Sequence, residues 1–478
     1  MMLPNSWHAN WSGLKAVVVG LGKSGFSAVD TLVELGVEVV AIGASADPQL
    51  IELTEVVGAR FIASDSPEVL DEIGISPDFA VVSPGFAPAH PLVQALQDSE
   101  VPIFSDLDLA WRLRDKVIGD QLWLGITGTN GKTTTAELAA HMLVTAGVPA
   151  VACGNIGNPI LDAIRDPAGF QVLVVELSSF QLHYSGEIQF HASAFLNFAD
   201  DHIDWHGSKE SYLAAKSKVF HGTASAIIFN EQDATTLRAA EQAEVQEGCR
   251  GIGFSLAIPQ PSSVGYVEEI LVDRAFLDNR TEAALEIATE EEIAQIAPIS
   301  DQLRANVAAA TALVRSLGIE PAKIAAAIKT FELSPHRNQT VATIDQVRYV
   351  NDSKATNPHA ADSSLSSYQN ILWIVGGLFK GADPGDLVTK HAGRLKAAIL
   401  IGDDTQLLQE RFAQLAPQIP LRVISGDDVM ALAVEQARDL ASAGDTVLLA
   451  PAAASMDQFD SYQDRGNKFI AAVDRLRA

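Results

Sequence analysis

The chain contains Gln121-Leu-Trp-Leu-Gly-Ile-Thr127-Gly-Thr-Asn-Gly131-Lys132-Thr133, in which an apolar strand runs directly into a glycine-rich loop. Glycines let the backbone curl until its N–H groups face phosphate oxygens, and the first turn of a following helix adds partial positive charge. A helix is predicted after this loop because apolar residues recur at helical spacing, at Leu138, Met142, Leu143 and Ala146. The order of strand, loop and helix therefore predicts a site for a nucleoside triphosphate.

Two side chains of this loop have the chemistry that a triphosphate requires. Lys132 can reach the terminal phosphates, and the hydroxyl of Thr133 can bind Mg²⁺. The general motif has a glycine five residues before Gly131, where this chain has Ile126, so the loop is a variant. The alternative is a glycine-rich turn with a solvated lysine. The predicted ATP contacts in this segment are Gly128, Thr129, Asn130, Gly131, Lys132, Thr133, Thr134 and Thr135.

An acidic residue ends the next buried strand. Residues 172–175 are apolar, and Glu176 follows them directly. In a nucleotide-binding sheet, this is where a second, acidic partner of the metal ion lies. Taken alone, such a residue is more often a surface acid at a strand end, and the phosphate loop is what favours the metal role.

Strands and helices alternate on both sides of this central segment. Apolar runs at 16–19, 37–42 and 79–82 precede it, and further runs alternate with helical segments after residue 334. This alternation indicates parallel sheets covered on both faces by helices. The chain has 478 residues, more than the roughly 250–300 that a single core supports. We predict three α/β domains, residues 1–118, 119–333 and 334–478. The sequence does not predict the elements of residues 255–300.

The first strand runs into a second glycine pattern, Gly20-Leu-Gly22-Lys-Ser-Gly25. Its place between a strand and a helix is that of a dinucleotide-binding turn. NAD binding also needs an acid about 20 residues later to hold the ribose, but the second strand continues as Ile42-Gly-Ala-Ser45. A turn that binds another diphosphate is therefore favoured over NAD, and a purely structural turn is the other alternative.

Composition excludes several classes of partner. The formal net charge of -27 repels phosphate backbones and anionic lipid head groups, so no nucleic acid and no membrane is expected as a partner. The two cysteines, Cys153 and Cys249, fit a reducing compartment. Residues 1–15 lack the basic and apolar segments of a signal peptide, and no apolar run reaches about 18 residues. We expect a cytoplasmic protein and a monomer.

Beyond the phosphate loop, a series of segments follows a consistent order along nearly the whole chain. They are Thr127-Gly-Thr-Asn-Gly-Lys-Thr-Thr134, Gly154-Asn-Ile-Gly157, Glu176-Leu-Ser-Ser-Phe-Gln-Leu182, Asp201-His-Ile-Asp204 with Ala214-Ala-Lys216, Pro335-His-Arg337, Asn351-Asp-Ser-Lys-Ala-Thr-Asn357 and Ser455-Met-Asp-Gln-Phe459. Taken together, these segments resemble the Mur ligases. Those that begin at Glu176 and Asn351 are most typical of the members that add D-glutamate.

The resemblance implies an N-terminal Rossmann-like UDP-binding domain, a central P-loop ATPase-like domain and a C-terminal Rossmann-like domain. It also implies that ATP drives amide-bond formation between UDP-N-acetylmuramoyl-L-alanine and D-glutamate in peptidoglycan precursor synthesis. The γ-phosphoryl group would first activate the substrate carboxylate as an acyl phosphate, which the amine attacks. Activation is needed because a carboxylate is a poor electrophile. The implied cofactors are ATP and Mg²⁺, with two metal sites.

The resemblance also implies roles for individual residues. Those at the reacting groups are Lys132, Glu176, His202, Lys216, His336 and Lys354. The metal ligands are Thr133, Glu176, His202 and a carbamylated Lys216. Further ATP contacts are Asn306, Arg337 and Asp352. The contacts to the UDP substrate are Gly22, Ser24, Ser83, Gly85, Asn155 and His202. The contacts to D-glutamate are Thr356, Lys380, Ser455, Met456 and Tyr462.

Several positions have a simpler interpretation when taken singly. His202 or His336 could be an ordinary satisfied histidine, Lys216 could lie on a solvated helix face, and Ser455 could cap a helix. Two segments also depart from the family pattern. In the family, the second strand usually ends in an Asp-Thr-Arg-like segment, whereas this chain has Ile42-Gly-Ala-Ser45. The family also has a His-Asn pair a few residues before a second Asn, and in Asp301-Gln-Leu-Arg-Ala-Asn306 only Asn306 matches clearly.

Three alternative functions stay open at this point. One is another member of the superfamily, such as a folylpolyglutamate synthase or a ligase for L-alanine or a diamino acid, although the Asp-Asn-Pro-Arg segment of the diamino-acid member is absent. A second is a non-catalytic nucleotide-gated binding protein, which would lack the metal partners. A third is an NAD oxidoreductase, which the missing ribose acid disfavours.

Overall fold

The computed structural model describes residues 3–186 and 188–477. The chain forms two compact units. One runs to Thr289 and includes Ala305–Ile328, and the other comprises Glu290–Arg304 and the chain from Lys329 onward. The first unit contains two β-sheets and the second contains one. Within the described ranges, no helix is both long and apolar enough to cross a membrane.

The first sheet is parallel throughout. Its strands are β1 (Lys15–Val19), β2 (Glu38–Gly43), β3 (Arg60–Ala63), β4 (Phe79–Val82) and β5 (Ile103–Phe104), in the order β3-β2-β1-β4-β5. The helices between them are α1 (Lys23–Glu34), α2 (Pro48–Val56), α3 (Val69–Glu72), α4 (Pro91–Asp98) and α5 (Asp106–Leu113). Alternate residues of β1 belong to two different apolar clusters, so both faces of the sheet are covered. The strand order reverses between β1 and β4, where ligands bind in such sheets.

The second sheet of the first unit has nine strands. They are β6 (Leu122–Thr127), β7 (Ala150–Gly154), β8 (Val172–Glu176), β9 (Ala192–Phe195), β10 (Ala226–Asn230), β11 (Arg250–Phe254), β12 (Ser263–Val267), β13 (Ile270–Asp273) and β14 (Leu285–Thr289). Their order is β14-β13-β12-β11-β10-β9-β6-β8-β7, parallel from β7 to β12 and antiparallel over β12-β13-β14. The associated helices are α6 (Lys132–Thr145), α7 (Ile160–Arg165), α8 (Ser179–Tyr184), α9 (Ile203–His206), α10 (Lys209–Ser217) and α11 (Ala234–Glu241).

Three helices follow this sheet along the chain. They are α12 (Glu290–Ile293), α13 (Asp301–Arg315) and α14 (Pro321–Ile328). The helix α13 begins at Asp301, ahead of its Ala-rich stretch. Its first turn is mostly polar, so it lacks the recurring apolar positions that would predict where the helix begins.

The second unit contains a six-stranded sheet. Its strands are β15 (Gln339–Ile344), β16 (Val347–Asn351), β17 (Ile371–Gly376), β18 (Leu395–Ile401), β19 (Leu421–Val423) and β20 (Thr446–Leu449). The order is β15-β16-β20-β17-β18-β19, and only the pairing of β15 with β16 is antiparallel. Its helices are α15 (Pro358–Ser366), α16 (Gly385–His391), α17 (Gln406–Leu415), α18 (Val429–Leu440) and α19 (Tyr462–Arg475). Because β16 and β20 are parallel neighbours, the segments that follow them meet at one edge.

Candidate active site

The glycine-rich loop lies between the end of β6 and the start of α6, as predicted. Gly131 is the N-cap of α6 in a left-handed conformation, with φ 84°. It has no side chain to cap the helix, and the N-terminus of such a helix directs backbone N–H groups toward anions. Asn197 holds the other side of the loop, where its carbonyl accepts from Thr129 N at 3.0 Å and its Oδ1 accepts from Asn130 N at 2.9 Å.

Lys132 folds back onto the backbone of this loop. Its Nζ donates to the carbonyl oxygens of Gly128 at 2.8 Å and Thr129 at 3.0 Å. The ammonium group is therefore held beside the N–H groups that a phosphate would use. The two threonines after Thr133 are also buried in the first turn of α6, namely Thr134 and Thr135.

The side chains of Thr133 and Glu176 are hydrogen-bonded to each other beside the loop. The Thr133 hydroxyl donates to Glu176 Oε2 at 2.5 Å, and Asn155 Nδ2 donates to Glu176 Oε1 at 2.8 Å. Glu176 is the last residue of β8, which pairs with β6, and it is 2% exposed. A hydroxyl and a carboxylate so close to a phosphate loop are the oxygen donors that Mg²⁺ prefers, since this ion keeps several waters and needs few protein ligands. Among residues 3–186 and 188–477, no three His, Cys, Asp or Glu side chains are grouped to hold a metal ion.

Lys216 reaches the same loop from α10. It is 2% exposed, and its Nζ donates to the Gly128 carbonyl at 2.8 Å. The interpretation of Lys216 as part of a solvated face was therefore wrong. Burial lowers the pKa of Lys216 well below its usual value, and the charge of Lys132 lowers it further against the opposing effect of Asp201 and Glu176. A lowered pKa favours the neutral form of the amine, which is the nucleophilic one.

His202 is connected to the loop through an aromatic side chain. Its ring centroid lies 6.2 Å from that of Tyr212, whose hydroxyl is 3.2 Å from Thr129 Oγ1. The His202 side chain is 40% exposed, with Nε2 at 3.6 Å from Asp201 Oδ2. Burial, together with the charges of His183 and His202, lowers the pKa of the neighbouring His206 to about 4, so that side chain is neutral at pH 7.

The second glycine pattern adjoins the turn after β4. A Cβ on Gly20 would lie 2.8 Å from Ser83 Cβ, so the segments around Gly22 and Gly85 approach closely at the ends of β1 and β4. Ser24 hydrogen-bonds Asp106, and burial raises the pKa of Asp106 to about 6.

A second cluster of candidate residues lies within the second unit, around the segment that follows β16. His336 is buried, and its Nδ1 is 2.9 Å from Asn351 Nδ2. Lys354 Nζ lies 3.9 Å from the centroid of the Tyr462 ring, and Lys354 O accepts from Thr356 N at 2.8 Å.

Asp352 also belongs to this cluster. Burial raises the pKa of Asp352, opposed by hydrogen bonds from Ser364 and the Asn338 N–H and by the charge of Arg337. Arg337 is therefore close enough to act on this carboxyl group electrostatically, which brings the two predicted ATP contacts of this unit together.

The segments of Lys380 and Ser455 meet at the end of the same sheet. Leu378 and Ala454 exchange backbone hydrogen bonds of 2.9 and 3.0 Å. Ser455 is buried, whereas Lys380 is exposed and Met456 is 74% exposed. The interpretation of Ser455 as a helix cap was wrong, because α19 begins at Tyr462 and its N-cap is Ser461.

Sequence reasoning missed several residues of the site. Asn197 and Tyr212 were not selected, nor was the Asp106–Gln181 pair, whose atoms are 3.2 Å apart. Asn197 follows an apolar strand, so a polar residue at the carboxyl end of β9 was the available signal. Asn306, which was selected, is buried in α13.

Family models match in the order of the three predicted domains. The Mur ligase MurD-like N-terminal domain matches residues 14–105, the Mur ligase middle domain matches residues 126–314, and the Mur ligase glutamate ligase domain matches residues 336–453.

Curated relatives match over nearly the whole chain. A UDP-N-acetylmuramoylalanine--D-glutamate ligase of Leifsonia xyli subsp. xyli is 49% identical, covering 98% of this chain and 94% of the relative. Proteins of the same name from Tropheryma whipplei (strain Twist) and Streptomyces avermitilis are 44% and 43% identical, each covering 98% of this chain and 98% and 100% of the relatives.

Solved structures of other members have the same fold. The UDP-N-acetylmuramate-alanine ligase MurC of Thermotoga maritima matches with a TM-score of 0.58 at 15% identity, covering 97% of this chain and 99% of that chain. The MurF ligase of Thermotoga maritima in complex with ADP matches with a TM-score of 0.56 at 16% identity, covering 98% and 97%. The predicted α/β class with three domains is confirmed. The chain therefore belongs to the Mur ligase family of ATP-dependent amide-bond-forming enzymes.

Proposed function

We propose that this chain joins D-glutamate to UDP-N-acetylmuramoyl-L-alanine, with conversion of ATP to ADP and phosphate. The convergence of Lys132, Thr133, Glu176 and Lys216 on one loop carries the ATP-dependent part of this proposal. The choice of D-glutamate is supported by the names of relatives that are 43–49% identical over 98% of the chain.

The reaction has two chemical steps. An oxygen of the L-alanine carboxylate attacks the γ-phosphorus of ATP, the bond to the β–γ bridging oxygen breaks, and ADP leaves. The amine of D-glutamate then attacks the acyl phosphate, the C–O bond breaks, a proton leaves the nitrogen and phosphate departs. In the first step, the N–H groups at the start of α6 and the ammonium group of Lys132 would bind the phosphates.

Thr133 and Glu176 would hold Mg²⁺, because a hydroxyl and a carboxylate oxygen lie side by side next to the phosphate loop. The ion would neutralise charge as two anions approach each other. His202 would hold a second ion. Asn155, which fixes the carboxylate of Glu176 at 2.8 Å, would also contact the UDP substrate.

Lys216 would act as a carbamate. Its neutral Nζ attacks the carbon of CO₂, an N–C bond forms, and one proton is released, so that a cation becomes an anion. The low pKa of Lys216 supports this step because only the neutral amine has a free electron pair.

The predicted residues outside the loop complete the proposal. Gly22, Ser24, Ser83 and Gly85 would contact the UDP moiety. In the second unit, Arg337 and Asp352 would contact the nucleoside of ATP, and His336 and Lys354 would lie near the reacting groups. D-Glutamate would contact Thr356, Lys380, Ser455, Met456 and Tyr462. Domain limits at 118 and 333, a monomeric state and a cytoplasmic location belong to the same proposal.

Phosphate release tests the proposal directly. We expect release only when ATP, Mg²⁺, UDP-N-acetylmuramoyl-L-alanine and D-glutamate are all present. Lys132→Ala should lower kcat by at least about a hundredfold because a charge at the transferring phosphate is lost. The matched control is Lys209→Ala, which removes an exposed lysine of α10 and should leave kcat unchanged. Release that persists without D-glutamate, or a preference for another amino acid in a panel, would contradict the assignment.

A further inference from the structure

One charged side chain is fully buried in the second unit and has no role above. Arg465, on α19, is 0% exposed. Its Nε donates to the Ser353 hydroxyl at 2.9 Å, its Nη2 to the Ser353 carbonyl at 2.9 Å, and its Nη1 to the Ala453 carbonyl at 3.1 Å. None of these three acceptors carries a charge, so the guanidinium group is held in the core by neutral oxygens.

Burial of such a group is unfavourable unless its donors are satisfied. Burial lowers the pKa of Arg465 to about 10, and the charge of Asp457 opposes this shift, so the side chain stays protonated at pH 7. An apolar side chain would fill the core without that desolvation cost. The position of the charge and of its fork-shaped donors therefore needs a reason other than packing.

The reason lies in the three segments that Arg465 joins. Ser353 immediately precedes Lys354, and Ala453 lies two residues before Ser455. The Ser353 hydroxyl also donates to the carbonyl of Tyr462 at 2.8 Å, at the start of α19. One guanidinium group thus links the segment after β16, the segment after β20 and the first turns of α19.

We propose that Arg465 is a positioning residue for the amino-acid substrate, which holds the segments of Lys354, Ser455 and Tyr462 in one arrangement and favours a dicarboxylate through its buried charge. This inference rests on the proposed function, in which these segments surround D-glutamate. A planar guanidinium can fix several carbonyl and hydroxyl oxygens at once, whereas an ammonium group keeps the charge without the fork.

Steady-state kinetics of two variants separate the fork from the charge. Arg465→Lys should raise KM for D-glutamate about tenfold, the effect of losing one or two hydrogen bonds. Arg465→Gln, which loses fork and charge, should raise it about a hundredfold. In both variants, KM for ATP should stay within about twofold of the wild-type value and kcat should fall less than KM rises. Ser353→Ala keeps the charge and removes one acceptor, so it should give a smaller rise than Arg465→Lys.

Phe469→Leu is the matched control for stability. Phe469 is buried on the same helix but belongs to its apolar core cluster. If Phe469→Leu raises KM for D-glutamate as much as Arg465→Lys at an equal loss of Tm, the role of Arg465 is structural and the inference is wrong. An unchanged KM for D-glutamate, or an equal rise in KM for ATP, also overturns it. Should Arg465→Gln fail to fold, Arg465→Lys and Ser353→Ala decide alone. Wild-type protein that does not use D-glutamate would refute the proposed function instead.

Discussion

Lys216 illustrates which features of a site residue can be predicted from the sequence and which depend on the fold. It lies in a helix whose sequence also fits a solvated face, yet its Nζ is buried against the Gly128 carbonyl at 2.8 Å. The family resemblance selected it, whereas its spacing along α10 could not, because burial of one position depends on which residues the rest of the chain places over it. The buried side chain and its low pKa are the physical basis of the proposed carbamate.

The low pKa of Lys216 has a consequence for stability. The pKa in the folded protein lies below the unfolded value, so between the two pH values the unfolded chain binds a proton that the folded chain does not. The free energy of unfolding therefore rises with pH until the unfolded pKa, near 10.4, is reached. In CO₂-free buffer at pH 7, Lys216→Met should raise Tm by a few degrees while abolishing phosphate release.

The pH dependence provides the check on this prediction. The gain in Tm should shrink as the pH rises past about 10.4, because the unfolded chain then also carries a neutral lysine. Lys209→Met, on the exposed side of α10, should leave Tm unchanged at every pH. A gain that grows with pH, or no gain at pH 7, would show that Lys216 is not held neutral in the folded protein.

At the scale of elements, the sequence predicted the strands that are buried on both faces. The run at 79–82 matches β4, and residues 172–175 lie in β8. Such strands are nearly continuous apolar runs, so they can be recognised in the sequence. The antiparallel strands β12, β13 and β14 were missed because each is only four or five residues long and the segments between them are turns that contain several acids. The phosphate loop was found because its chemistry lies in consecutive residues, whereas Arg465 and Ser353 are brought together only by the fold.

A buried ion pair joins this antiparallel extension to α13. Arg315 Nε donates to Asp273 Oδ2 at 2.8 Å, and Asp273 Oδ1 accepts from Ala275 N at 2.6 Å. Asp273→Ala should lower the free energy of unfolding of the first unit by about 3–5 kcal/mol, since it leaves a buried cation without its partner. Urea denaturation followed by circular dichroism measures this loss.

The double variant Asp273→Leu with Arg315→Met tests the cause of that loss. It removes both charges and should recover part of the stability, because an apolar pair leaves no unpaired ion. Glu286→Ala, an exposed acid of β14, should change the free energy of unfolding by less than about 0.5 kcal/mol. If Asp273→Ala is as mild as this control, the extension is held by packing and not by the ion pair.

For the whole molecule, each unit has an apolar core cluster of its own among the described residues, and unfolding is expected in two transitions. The chain has six tryptophans, of which only Trp373 belongs to the second unit, where it is fully buried. Trp373→Phe should therefore remove the fluorescence change of that unit's transition and leave the other.

Mg²⁺ with ADP should raise the midpoint of the first unit, because the phosphate loop lies there. At a free nucleotide concentration of 100 times Kd, binding should raise the free energy of unfolding of this unit by about 2.7 kcal/mol. A rise in the second transition that disappears in Arg337→Ala would locate the nucleoside contact in the second unit. A rise that survives this substitution would assign the contact to other residues, and a single transition that moves as a whole would contradict separate unfolding of the two units.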